Sequence, residues 1–442
     1  MDATTFVREY LLLGLGFDRI EDGFVDAFTG DPELRRRVEN APPPEPRQLA
    51  RRAAELRSEL SNVEIAAGRA EFLDVHLRAL ECSARKFAGE EIGFVDEVHA
   101  YFDVRIEPGS VDDYRAAHRA MDEVLPGDGS TPLAQRLQAH RAADEIPPER
   151  LAECVDAFSS ALRDLVRARY PLPETERVEY EVVGDKPWSG FNYYLGDYRS
   201  KVAINSDLKQ HMAHLPHLIA HESYPGHHTE HCRKEAGLVD AGEIEHTIFL
   251  VNTPQCLMAE GLADHALGAI VGPGSGARGA TPGQGGGARG ATPGQCGGAG
   301  GATPGQCGGA GGATPGQGWG KWAEEIYADL GLRFDGQRAE ALSTASAGLL
   351  GVRQDAALLL HDRGRSHDEV AEFLQTWNLT SPERSRQSLR FLSSPLWRAY
   401  TSTYVEGYRL LDSWLGRAGD GIERADLFGR LLDEPLIPSA LR

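Results

Sequence analysis

Apolar residues recur three or four positions apart through most of the first 170 residues. In "PRQLARRAAELRSELSNVEIAAGRAEFLDVHLRALECSARKFAG" Arg and Glu fill the places between them, the mark of helices with one buried face. "SVDDYRAAHRAMDEVLPG" opens on Ser110, an N-cap residue followed by acidic side chains that suit a helix start. "ERLAECVDAFSSALRDLVRARYPLP" predicts another amphipathic helix, which its prolines end. Then the period changes to two. "VEYEVVGD" and "KVAINSDL" alternate apolar and polar residues, as half-exposed strands do, and the aromatic- and Gly-rich "KPWSGFNYYLGDYRS" between them predicts a loop or hairpin. From Leu215 the spacing is helical again. It continues, after one interruption, through "WGKWAEEIYADLG", "GQRAEALSTASAGLLGVRQDAALLLHDRG", "SHDEVAEFLQTWN" and "WRAYTSTYVEGYRLLDSWLGRAG".

The expectation is a mainly α protein, a large helical body with a small β-sheet. Residues 1–170 read as an N-terminal helical region and 171–273 as the sheet with the helices that follow it. Residues 319–442 read as a C-terminal helical region completing the body. At 442 residues the chain is too long for one small core and implies lobes or one large helical body. The interruption, 274–318, is an 11-residue repeat in which "ATPGQ" begins at 280, 291, 302 and 313. Its Gly, Ala, Pro, Thr and Gln have nothing with which to build a core. It reads as a disordered insert in a surface loop rather than a solenoid.

Charge narrows the partners. With 66 acidic against 46 basic residues the net charge is -20, which repels nucleic acid and anionic membranes. No stretch approaches the roughly 20 apolar residues that span a bilayer, and "MDATTFVREYLLLGLGFDRIEDG" lacks the basic start of a signal peptide. The six cysteines form no C-x-x-C pair, so a zinc ribbon is excluded and reduced thiols in a cytoplasmic protein are expected.

Histidine is concentrated. "LPHLIAHESYPGHHTEHCRKEAGL" holds His217, His221, His227, His228 and His231, five of the 15 in the chain. A catalytic zinc site takes nitrogen and carboxylate ligands and leaves one position to water. His221 and Glu222 supply the H-E of such a site, but Pro225 stands at i+4, where the second histidine belongs. On a straight helix i+6 is rotated by roughly 240° and i+7 lies about 10 Å along the axis. Pro225 and Gly226 remove the difficulty, because a kink absorbing two extra residues returns His227 to the i+4 place. His228 is the rival. For the third ligand, "LMAEGLADHALG" offers Glu260, an acid flanked by Leu257, Met258 and Leu262 that is costly to bury without a partner. Asp264, one turn on, is placed to orient a ligand histidine.

"HESYPGHHTEH" followed by "AEGLADHAL" resembles the bacterial domain-of-unknown-function family 885, whose signature is H-E-x-Y-P-G-H-H with a later E-G-W/L-A. "YYLGDYRSKVAINSDL" and "SPLWRAYTSTYVEGYRLL" extend the likeness over roughly residues 5–435 without the repeat. Leu262, where tryptophan is usual, and the repeat itself depart from the pattern. The family looks like a branch of the zincin metallopeptidases. The resemblance therefore implies a Zn2+ site of His221, His227 and Glu260 with Glu222 as general base, leaves His228 open against His227, and names no substrate; a peptide or small amide is the substrate expected from zinc-activated water and a carboxylate base. Tyr404, with Tyr400 and Tyr408 as rivals, is the expected oxyanion donor. Lys201 to Asn205 is the expected edge strand for an extended peptide. Arg353 and Arg398 are the expected holders of a peptide carboxylate. The competing functions are a non-catalytic zinc scaffold and a metal-dependent hydrolase of a non-peptide amide or ester.

Overall fold

A computed structural model describes residues 1–127, 129–184, 188–271, 318–418 and 423–442. The chain is mainly helical, with a small sheet, as its periodicity predicts. The repeat lies outside the described residues, apart from Gly318. Helix Leu151–Arg169 buries Leu151, Val155, Phe158, Leu162 and Val166, one stripe at helical spacing. Helix Ala3–Asp18 starts where the Asp2 carboxylate accepts the Thr5 N–H at 2.9 Å. Ser110 does precede helix Val111–Val124, but its side chain makes no capping hydrogen bond. No helix of the described residues is long and apolar enough to cross a membrane.

Two departures from expectation concern strands. β1 (Val25–Phe28) interrupts the N-terminal helices and pairs antiparallel with β5 (Ile248–Leu250), tying the start of the chain to its middle. The second sheet contains β2 (Arg177–Val183), β3 (Gly190–Gly196) and β4 (Arg199–Asn205) in the order β2-β4-β3. β4 runs parallel to β2 and antiparallel to β3. Lys201 to Asn205 is therefore the centre of the sheet and not its edge. The consecutive burial of Val202, Ala203, Ile204 and Asn205 is the pattern of a strand covered on both faces. β3 is the end strand that rests on the histidine segment.

Helix Pro254–Val271 is buried on nearly every side, which marks it as the central helix of the body. Its Gly261 meets Gly407, in the π-helical turn Thr403–Gly407. A Cβ on Gly261 would lie 2.6 Å from the Gly407 carbonyl oxygen, so the two backbones touch and neither position has room for a side chain. This contact brings the tyrosine-bearing segment onto the helix that carries Glu260. Gly261→Ala is expected to force them apart at a cost of about 2 kcal/mol. A thermal melt reads this as a lowered Tm, and an unchanged Tm would show that the backbones are not in contact.

A candidate metal centre

The first motif helix, Leu215–Glu222, stops at the H-E pair, and the second, His227–Lys234, starts after Ser223, Tyr224, Pro225 and Gly226. Gly226 N–H donates to Ala220 O (2.8 Å) and Thr229 N–H to Ser223 O (3.2 Å). Both bonds reach back six residues where an unbroken helix reaches back four, and Glu230 N–H to Gly226 O (3.0 Å) restores the normal step. The break thus absorbs two residues. Gly226 packs against the end of the first helix so closely that a Cβ would fall 1.9 Å from His221 O. Carbonyls released by the break are taken up by side chains: Asn192 Nδ2 of β3 donates to Glu222 O (2.6 Å) and Thr229 Oγ1 to Ser223 O (3.0 Å).

The outcome is that His227 faces His221, with their Nε2 atoms 3.2 Å apart. Glu260 completes a triangle, with Oε2 3.4 Å from His221 Nε2 and Oε1 3.9 Å from His227 Nε2. Ligands at zinc bond lengths on a tetrahedron are about 3.3 Å from one another. The set fits in a second respect, since Glu260 Oε2 is buried without a hydrogen-bond partner. Asp264 Oδ1 lies 3.2 Å from His221 Nδ1 and accepts its N–H, which leaves Nε2 to face the centre. Tyr400 OH donates to Glu260 Oε1 at 2.8 Å. Burial disfavours a charged His221, but the carboxylates of Asp264, Glu260 and Glu222 outweigh it and raise its pKa well above the usual value. His227 is held neutral, its pKa lowered to about 4 by burial and by His221. Glu222 is 7% exposed and within electrostatic reach of His221, Glu260 and Asp264, and burial lifts its pKa to about 7. Gly190, at the start of β3, packs on it.

His228 is turned away. Its Nε2–H donates to Glu176 Oε2 (3.1 Å) and its Nδ1 accepts from Ser200 Oγ (2.8 Å), which occupies both ring nitrogens. Glu176 also accepts from Tyr224 OH (2.8 Å), Arg163 Nε (2.7 Å) and Arg167 Nε (2.9 Å). It thus binds the break and the second motif helix to helix Leu151–Arg169. His231 stacks on Tyr194 with ring centroids 4.6 Å apart. Of the three tyrosines, Tyr408 stacks on His265 away from the ligands, and Tyr400 is spent on Glu260. Tyr404 lies within electrostatic reach of Glu260, Asp264 and Glu222, and burial first and then those charges keep its hydroxyl protonated. Arg353 lies within electrostatic reach of Tyr404. Arg398 does not belong to the site, because its Nε donates to the buried Glu97 at 2.8 Å.

Three contributors escape a reading of the sequence. Asp26 on β1 is driven up to about 7 by burial and by Glu260, and so stands close to the ligands. Asn192 and Glu176 hold the break. None carries a local signal, since each is brought in by a strand or loop remote from the motif. A second trio, Glu243, Glu245 and His246, also has metal-ligand spacing. Glu245, however, is gripped by Arg69 through bonds of 2.6 and 2.8 Å, so its counter-charge is already supplied.

No family model matches the sequence, and no curated protein matches it. Among solved structures the fold is similar to a "putative lipoprotein" from Colwellia psychrerythraea, with a TM-score of 0.50 at 14% identity over 90% of this chain. The chain spans 66% of that protein's length. A "putative lipoprotein of unknown function" from Shewanella oneidensis aligns with a TM-score of 0.47 and 9% identity, over 90% of this chain and 71% of its own. At these identities the likeness concerns the fold alone.

The hub at Glu176 has a pH signature. Burial raises its pKa, but hydrogen bonds from His228, Tyr224, Arg163 and Arg167 prevail and hold it at about 2, below the 4.5 of a free glutamate. A carboxyl depressed by folding stabilises above its unfolded pKa and loses that contribution as pH falls to the folded value. Glu176→Gln should therefore cost about 2 kcal/mol at pH 7. Chemical denaturation of parent and variant should converge as pH drops from about 4.5 towards 2. A gap that stays constant over this range would show that the charge of Glu176 does not hold the break together.

Proposed function

We propose that the protein is a zinc-dependent hydrolase, specifically a metallopeptidase, with His221, His227 and Glu260 as ligands. The observation that carries the reading is the triangle of three ligand atoms at tetrahedral spacing, with the buried carboxylate of Glu222 within electrostatic reach of His221 and Glu260. A two-imidazole, one-carboxylate set suits zinc and leaves a position for water, where a purely structural site closes the fourth position with protein. A bound Zn2+ supplies Lewis acidity and brings the pKa of water towards neutrality.

The chain's own residues divide the remaining work. Glu222 takes the proton of the attacking water and delivers it to the leaving amine. Its buried position favours this, because a carboxyl lifted from its usual range shuttles a proton near neutral pH. Tyr404, protonated at all relevant pH, donates to the oxygen that gains charge. β3, as the end strand lying on both motif helices, takes the role of aligning an extended peptide. The metal set and the base match what the resemblance to family 885 implies. A peptide or small amide is the substrate class, and nucleic acid is an unsuitable partner for a chain of net charge -20. A cytoplasmic location belongs to the same reading, because Cys82, Cys154, Cys232 and Cys256 are buried free thiols.

Glu222→Gln should retain zinc and lose hydrolysis of a quenched peptide library by about 100-fold or more. His221→Ala and Glu260→Ala should lose the metal by elemental analysis, whereas His228→Ala should keep it. A Glu222→Gln protein as fast as the parent, or full zinc in both ligand variants, would reject the assignment.

A further inference from the structure

The first motif helix carries histidines ahead of the candidate centre. His214, just before it, already belongs to the helical ladder, because Leu218 N–H donates to its carbonyl at 3.0 Å. His214, His217 and His221 follow one another at three- and four-residue steps, so their side chains leave the helix within roughly 60° of one another. Along the axis His217 lies about 6 Å and His214 about 10 Å before His221. An extended peptide crosses that span in about two or three residues.

His214 and His217 line a cavity of about 100 Å³ whose other walls include Met121, Leu137, Trp319 and Leu349. One buried water needs about 10–15 Å³, so the cavity has room for a group of roughly eight non-hydrogen atoms. Trp319 meets the His217 ring edge-on, with centroids 4.5 Å apart, and fixes its orientation. The polar groups of the lining are of two kinds. His211 Nδ1 donates to the Arg141 carbonyl at 2.9 Å, and Asp144 Oδ2 accepts Ala213 N–H at 2.9 Å. The Nε2 atoms of His214 and His217 are buried, and neither has a hydrogen-bond partner among the described residues. Burial holds both rings neutral, with pKa values lowered to about 4 and about 3. A buried polar atom left unmatched costs free energy until something pairs with it. Two neutral imidazoles set the chemistry of that partner, since each gives or takes one hydrogen bond at Nε2 according to its tautomer. A hydroxyl answers both, its proton going to one ring while its oxygen accepts from the other. The apolar walls suit an aromatic body behind such a tip.

We propose that this recess is a subsite for a tyrosine side chain of the substrate, with the ring against Met121, Leu137 and Trp319 and the hydroxyl bonded to His214 and His217. It deepens the metallopeptidase reading and rests on it only for the peptide nature of the occupant and its place two or three residues from the reacting bond.

The test is a ligand-observed NMR titration of the full chain with the N-acetyl amides of tyrosine, phenylalanine, glutamine and leucine, all of them neutral. The tyrosine amide should bind about tenfold or more tightly than the phenylalanine amide, which lacks only the hydroxyl, and more tightly than the other two. His214→Leu and His217→Leu should each cut that ratio to about threefold or less, with zinc content and melting curve kept. His217→Gln, which can still pair with a hydroxyl, should restore part of it. A parent chain that binds the tyrosine and phenylalanine amides equally, or binds neither, overturns the proposal whatever the variants do, because the recess then holds only water. A glutamine amide that binds more tightly than the tyrosine amide overturns it as well. So does a preference that survives in both Leu variants, because the hydroxyl is then held elsewhere. Binding is read without turnover. A chain that prefers the tyrosine amide but cleaves no peptide keeps the subsite and loses the peptidase reading, and an active peptidase without the preference does the reverse.

Discussion

The hydrogen bond from Gly226 N–H to the carbonyl of Ala220 spans six residues where an intact helix spans four. With the helix unbroken, His227 would point well away from His221 and no metal-sized gap would exist between them. With it broken, two extra residues are absorbed, and the imidazoles meet at 3.2 Å. Such a break releases backbone carbonyls into a buried region, which is expensive unless they are paired. Asn192 of β3 and Thr229 of the second motif helix provide that pairing, and Glu176, in the loop before β2, accepts from the side chains of Tyr224 and His228 on either side of the break. The sheet is therefore the frame that keeps the broken helix in its working shape.

The second requirement is charge. Glu222, Glu260 and Asp264 lie together in the interior with Asp26 near them. Buried carboxylates repel one another and lose hydration, so such a group is stable only around a cation or with protons taken up. Both responses are visible in the raised pKa values of His221, Glu222 and Asp26. The contact of Gly261 with Gly407 then sets Tyr400 and Tyr404 over the same helix, and ligand support and hydroxyl donor arrive through one close backbone approach.

Much of this can be read from residue order, because it is local. Helices follow from the apolar period. His227 follows from Pro225 and Gly226, and Glu260 from an acid among Leu257, Met258 and Leu262. What could not be read depends on distant partners. "VDAF" is four residues long and becomes β1 only because Ile248–Leu250 comes to pair with it. "KVAIN" lacks any mark of its sheet position, and its place between β2 and β3 is decided by the loops around it. Tyr400, Tyr404 and Tyr408 are four residues apart and look equivalent on a helical projection. The π-helical turn Thr403–Gly407 changes their phase, so Tyr400 holds Glu260, Tyr404 packs edge-on against Tyr400 and Tyr408 stacks on His265.

The central claim is that this broken helix and Glu260 together form a zinc site of two imidazoles and one carboxylate. Zinc-edge X-ray absorption on the metal-loaded chain tests it most directly. The expected result is about one zinc per chain, four light-atom neighbours at about 2.0–2.1 Å, and outer-shell scattering from two imidazoles. Sulfur at about 2.3 Å, a single imidazole, or a chain that retains no zinc after dialysis would contradict it.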